Sequence, residues 1–211
     1  MSAIMRRRQM YLIAAAAAVV AVLCCGCSDD GIGGAFCEQK IANIERDDIR
    51  RYKTVTIGNQ TWTARNLDIQ TGNSWCYADK QSNCDKYGRL YDWFTAMNIC
   101  PVGWHLPTSK DWDVLMVAVG GSSVAGKKLK AYHGWYNNDN VTDDFQFSAL
   151  PGGDRLPYGD FNNAVGNGFW WTATECSGGN AYYRYMYYNR DLVLEDYIDK
   201  SFGFSARCVQ D

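Results

Sequence analysis

The chain has 211 residues, with 21 basic and 23 acidic side chains, nine cysteines and eight tryptophans. Three of the basic residues, Arg6, Arg7 and Arg8, precede an apolar leader, so the chain from Cys27 onward carries 18 basic against 23 acidic residues, a formal charge of −5. That balance argues against a nucleic-acid partner, which needs clustered Lys and Arg to neutralise phosphates; the one short basic group, Lys127, Lys128 and Lys130, reads as the solvated face of a helix.

The leader, residues 1–26, has the build of a secretory signal: an arginine triplet, then an apolar run from Tyr11 to Leu23 that is shorter than the ~20 residues a spanning helix needs. It ends in LCCGCSDD, which resembles a bacterial lipobox, with cleavage before Cys27 and acyl chains, palmitate among them, added there. The pattern departs from the usual one at Cys24, where a Leu-like residue is expected, and this leaves Cys25 as the alternative acylated residue. The mature form is expected to be lipid-anchored, with no transmembrane helix. After Cys27, residues 27–51 continue with SDDGIGGAF, an acidic, Gly-rich run suited to a flexible tether. Asp29 and Asp30 resemble the surface-export signal of some Gram-negative lipoproteins, which points to the outer membrane or cell surface.

Residues 52–211 are enough for one domain with a full core. YKTVTIGNQTWTARNLD predicts a hairpin turning at Gly58-Asn59. YDWFTAM (91–97) predicts a short helix, and a better one starts after Pro107: Thr108 can cap, Asp111 sits three residues on, and Trp112, Leu115, Met116 and Val119 share one face. Trp93, Trp104 and Trp112 read as core. Gly120-Gly121 ends the helix, Val124 to Lys130 adds a further helical stretch, and Gly134 to Gly168 reads as a long loop region. Three late strands follow: FWWTAT (169–174), AYYRYMYY (181–188) and GFSARCV (203–209). Terminal strands framing central helices predict an α+β fold in which the first and last strands are neighbours.

Six cysteines follow Cys27: Cys37, Cys76, Cys84, Cys100, Cys176 and Cys208. In an exported chain an even number reads as disulfides, and about 15 pairings are open to six cysteines. Cys76 and Cys84 are close enough to close a small loop. No CxxC pair is present, and neither histidine lies near a cysteine cluster, so a structural zinc site is unsupported.

VTIGNQTWTARNLD, YGRLYDWFTAM, CPVGWHLPTSKDW, FSALPGG, FWWTATE, AYYRYM and GFSARCV, in that order, resemble the Fibrobacter succinogenes major paralogous domain over about residues 52 to 210. That family is placed with C-type-lectin-like folds and is distantly similar to formylglycine-generating enzymes. The resemblance implies a small mixed or antiparallel sheet with two helices and a long loop region. It also implies a Cys100–Cys208 staple joining the first helical region to the last strand, which leaves Cys37 to pair with Cys176. It does not carry function across: the Glu-Pro-Asn, Gln-Pro-Asp and Trp-Asn-Asp strings of calcium-dependent sugar-binding lectins are absent, and disulfide-paired cysteines would not supply the reactive thiols of the enzymes.

Catalytic signals are few. A Ser-His-Asp triad could use only His105 or His133; His105, between Trp104 and Leu106-Pro107, reads as packed, and no GxSxG elbow occurs. Glu175 and Asp160 are the carboxylates a glycosidase would recruit, and GNGFWW lacks the lysine of a phosphate-binding loop. The expectation is therefore a non-catalytic envelope lipoprotein that binds a glycan or protein, with an assembly component lacking any small ligand as the alternative. Its candidate binding residues are Trp135, Tyr136, Asn137 and Asp139 in the loop region and Tyr183 and Tyr185 on the aromatic strand, where one face is core and the other is open to stack on sugars. No cofactor is implied, although WYNNDNVTDD (135–144) offers oxygen ligands of the kind calcium takes.

Overall fold

A computed structural model describes residues 52–137 and 141–211, all within the compact unit Asp48–Asp211. The leader, Cys27, Cys37 and the tether lie outside the described residues, as do Asn138, Asp139 and Asn140.

The elements run β1 (Thr54–Ile57), β2 (Gln60–Thr63), β3 (Ser74–Trp75), α1 (Gln81–Tyr87), β4 (Leu90–Tyr91), α2 (Trp93–Ala96), β5 (Trp104–His105), α3 (Ser109–Ala118) and α4 (Ser122–Leu129). After these come β6 (Asp154–Arg155), β7 (Phe161–Asn162), β8 (Asn167–Ser177), β9 (Asn180–Tyr187), β10 (Leu194–Asp199) and β11 (Val209–Gln210). The class is α+β. Four helices are described where the family resemblance implies two; the short α2 falls in the helix predicted over 91–97, and only α1 has no counterpart in the sequence reading. None of the described helices is long and apolar enough to cross a membrane.

The opening hairpin forms as expected, with Thr54 opposite Thr63 and Ile57 opposite Gln60 around a left-handed Gly58. It belongs to a four-stranded sheet ordered β1-β2-β11-β5, so the last strand inserts between the first hairpin and β5, with Val209 opposite both Trp62 and His105. A second sheet is ordered β10-β9-β8, and β3-β4 and β6-β7 form two-stranded pairs. Of the expected strand 203–209, only Val209 and the following Gln210 form one. Phe204 bridges to Tyr91 and Ser205 to Trp170, so this segment divides its backbone bonds between different partners.

Helix α3 starts where the sequence places it. Thr108 accepts from the Asp111 amide, and the Asp111 carboxylate accepts from the Thr108 amide, completing a capping box. Trp112, Leu115, Met116 and Val119 are all buried, as their spacing requires. The next helix, α4, ends in an unexpected way. Lys130, read from sequence as solvated, is buried, and its Nζ donates to the carbonyls of Tyr188 and Arg190.

Strand β8 divides the domain into two cores because its neighbouring tryptophans point to opposite faces. Trp170 packs in a cluster with Trp62, Trp112, Leu115, Phe147 and Met186. Trp171 packs in another with Tyr91, Trp93, Tyr183, Phe204 and Ala206. The cores are joined by a buried polar hub. Arg207 donates to Asn66 Oδ1 and to the carbonyls of Thr63, Phe147 and Ser148, and Asn66 Oδ1 also accepts from Trp170 Nε1.

Two disulfides are present among the described residues, Cys76–Cys84 and Cys100–Cys208. The second closes a loop of sequence separation 108, which in a chain-entropy account stabilises the fold by about 4–5 kcal/mol. Cys176 is exposed and unbridged among the described residues, and its expected partner, Cys37, lies outside them.

Candidate functional site

The residues singled out from sequence do not converge on one surface. Trp135 is a core residue: it is 6% exposed, its Nε1 donates to the Ala149 carbonyl at 2.8 Å, and the Lys130 ammonium lies 5.0 Å from its ring centroid. The loop runs over the surface while this ring turns inward. Tyr136 is 57% exposed and packs edge-on against Tyr188, 5.3 Å between centroids. Asn137 is exposed, with a left-handed backbone, and Asp139 lies outside the described residues.

Tyr183 and Tyr185 lie on the same face of β9 as Ala181, but that face is the second core and not an open platform. Tyr183 is buried between Trp171 and Phe204, and its burial pushes the phenol pKa far above the ordinary value. The other face is covered too. Arg184 donates to the Ser109 carbonyl and pairs with Asp113 and Glu195, and Met186 is buried against the first core. At the far end of β9, however, the rings surface. Tyr185 and Tyr187 are half-buried with centroids 5.4 Å apart, and Tyr185 stacks on the half-buried Phe169 at 6.1 Å. Phe169 in turn stacks on Phe204 at 5.1 Å.

A second aromatic group, absent from the sequence reading, adjoins this one through Gly203–Phe204. Arg155 on β6 lays its guanidinium 4.0 Å from the Trp75 ring centroid and 5.8 Å from that of Phe161, its register partner on β7. Tyr77 meets Phe161 edge-on at 5.5 Å. Trp75, Tyr77, Arg155 and Phe161 are all half-buried. Gly203 makes the stack possible: it bridges to Arg155, and a Cβ there would stand 2.9 Å from the Arg155 Cβ and 3.4 Å from Trp75. Beside it Asp154 points the other way along the strand and accepts from Asn163 Nδ2 at 2.7 Å; burial raises its pKa against that bond. No motif spacing marks this group. It is assembled from positions 75, 77, 155, 161 and 203, and only the fold brings them together.

Of the residues considered for catalysis, His105 and Glu175 are engaged by other side chains. His105 is not packed, as its neighbours suggested, but half-exposed, because its side chain reaches past β5 to the C-terminus. Its Nδ1 lies 2.7 Å from Asp211 and its Nε2 3.3 Å from Asp111. Burial pulls the Asp111 pKa up, but the bonds from the Thr108 hydroxyl and amide and from His105 outweigh it and hold the carboxyl below its usual range. Glu175 pairs with Lys200, and Asp160 is exposed. In the stretch considered for calcium, the Asp143 carboxylate already accepts from the Ser148 amide and hydroxyl at 2.8 and 2.7 Å. Among the described residues no group of three or more His, Cys, Asp or Glu could hold a metal ion.

The family model of the Fibrobacter succinogenes major domain matches residues 55–210. The chain belongs to this family. No curated protein and no solved structure matches it. The matched span of the Fibrobacter succinogenes major domain contains both disulfides, both surface aromatic groups and, apart from Tyr52, both cores.

Proposed function

We propose that the chain is a non-catalytic cell-envelope lipoprotein, acylated at Cys27, whose domain binds a glycan at the surface of a Gram-negative cell. The leader and lipobox-like LCCGCSDD support the anchoring. The observation that carries the ligand reading is the half-buried aromatic series Phe169, Tyr185 and Tyr187, adjoining Trp75, Tyr77 and Phe161. Rings left at a surface beside polar groups offer flat apolar faces to sugar C–H groups, with phenol hydroxyls to meet the sugar hydroxyls.

A second reading, an assembly component with a protein partner, draws support from β10. This strand is an edge of its sheet, and its exposed Tyr197 meets Tyr182 across the strands at 5.9 Å. A glycan array probed with the full chain, with and without calcium, separates the two readings. Retention on a defined saccharide class supports the first. Silence on every polysaccharide, together with a stable co-purifying protein, overturns it in favour of the second. Acylation is read from the mass of the N-terminal peptide, which should carry acyl chains that a Cys27→Ser variant lacks.

A further inference from the structure

Among the arginines that the fold draws inward, Arg155 is handled differently. Arg184 has two carboxylates, Arg207 has four oxygen acceptors, and Arg89 donates to Ser74 Oγ at 3.0 Å and to the Ser74 carbonyl at 2.8 Å. Arg155 has no carboxylate partner among the described residues. Its acceptor is the Leu156 carbonyl at a long 3.4 Å, and its buried Nε, like that of Arg184, has none. A guanidinium carries five N–H donors in a fixed fork, so most of this one's capacity is unused by the protein.

The stacking is what permits this. Trp75 beneath the guanidinium and Phe161 to its side stabilise the cation through their ring quadrupoles and fix its plane, with Gly203 leaving the room behind it. A planar fork that is pre-oriented, partly desolvated and without a counter-ion matches the two oxygens of a carboxylate. The neighbouring carboxylate, Asp154, is turned inward to Asn163, so it does not fill that role. Phe161 beside the cation, and Tyr77 edge-on against Phe161, present half-buried rings, which suits an acid group carried on a sugar ring better than one on a flexible chain.

We propose that Arg155 anchors a binding site for a carboxylate-bearing saccharide, pairing the acid group through its guanidinium while Phe161 and Tyr77 pack against the sugar. The proposal rests on the glycan reading above and names the charge class of its ligand. An acid sugar would supply the counter-ion that the protein withholds.

Titration calorimetry on the detergent-solubilised full chain tests it, with oligogalacturonate and oligomannuronate as probes and their methyl esters, equal in ring structure but uncharged, as comparators. At least one acid form should bind, with its ester roughly tenfold or more weaker. Arg155→Gln should bring the acid form down to the level of the ester, and Arg155→Lys should fall between, keeping the charge but losing the fork. If Arg155→Gln does not fold by near-UV circular dichroism, the acid-to-ester ratio of the unaltered chain decides. Equal binding of acid and ester, or an unchanged affinity in folded Arg155→Gln, overturns the Arg155 site while leaving a glycan-binding domain intact. No binding of either acid probe overturns the site as well, and retention of a neutral glycan on the array would then preserve the broader reading. A poly-glutamate peptide binding as tightly as the sugars overturns the saccharide assignment.

Discussion

Asn66 accepts from Trp170 through the same side-chain oxygen that receives the Arg207 Nε–H, at 2.8 and 3.0 Å. One amide thus holds an indole from one core and a guanidinium from the last segment of the chain. Its own Nδ2 donates to the Tyr87 carbonyl and to Ser205 Oγ. Replacing Asn66 by Ala leaves several buried donors and acceptors without partners, and the expected loss is about 3–4 kcal/mol of unfolding free energy. Urea denaturation of Asn66→Ala against the unaltered chain measures it.

The capping box of α3 gives a smaller and pH-dependent effect. Thr108→Ala should cost about 1 kcal/mol at neutral pH. Because the Asp111 carboxyl is held below its unfolded value, its contribution is complete above the ordinary aspartate range and is lost as pH falls through the lowered native value. The stability difference between unaltered chain and Thr108→Ala should therefore shrink on acidification, as read by thermal unfolding at a series of pH values.

Asp154 behaves in the opposite sense. Burial raises its native pKa, so its charge destabilises the fold at neutral pH and the penalty disappears as pH falls through the raised value. Asp154→Asn keeps an oxygen to accept from Asn163 and removes the buried charge. It should raise the melting temperature at pH 7 and be closer to neutral in effect under acid, measured by differential scanning calorimetry.

Lys130 is a third titration probe. Burial lowers its pKa to about 8, so the native state releases this proton before the unfolded chain does. Stability should rise as pH climbs from about 8 toward the usual 10.5, an increment that a Lys130→Met variant lacks. Parallel denaturation curves of the two proteins across that window show whether the increment exists.

The long-range disulfide is expected to matter more than the short one. Cys100→Ser with Cys208→Ser should lose about 4–5 kcal/mol, whereas Cys76→Ser with Cys84→Ser, closing a separation of 8, should lose about 2–3 kcal/mol. Non-reducing peptide mapping first fixes the pairs, and chemical denaturation of the two double variants then ranks them.

The parts of the fold legible in the sequence are those whose signals are local. Gly58-Asn59 names its own hairpin, Thr108 and Asp111 name their helix start, and the apolar FWWTAT run announces β8. Strand β10 has no such signal, because LEDYID is mostly exposed and acidic, as an edge strand can be, and so lacks an alternating apolar face. Trp135 misled for a related reason: Asn and Asp neighbours mark a surface loop but do not say which way a ring turns within it. The Arg155 stack has no linear signature at all. Arg155 follows Gly152-Gly153-Asp154 in a stretch that reads only as turns, and the ring beneath it lies 80 residues upstream at Trp75.

Strand β11 sits inside the first sheet, between β2 and β5, with Cys208 beside it tied back to Cys100. For a chain that emerges amino end first, the opening hairpin cannot find its neighbour until the closing residues have appeared. Completion of that sheet is thus a late event, governed by contacts distant in sequence and slow by nature. Such an arrangement leaves the first sheet open at its centre until the last strand is in place.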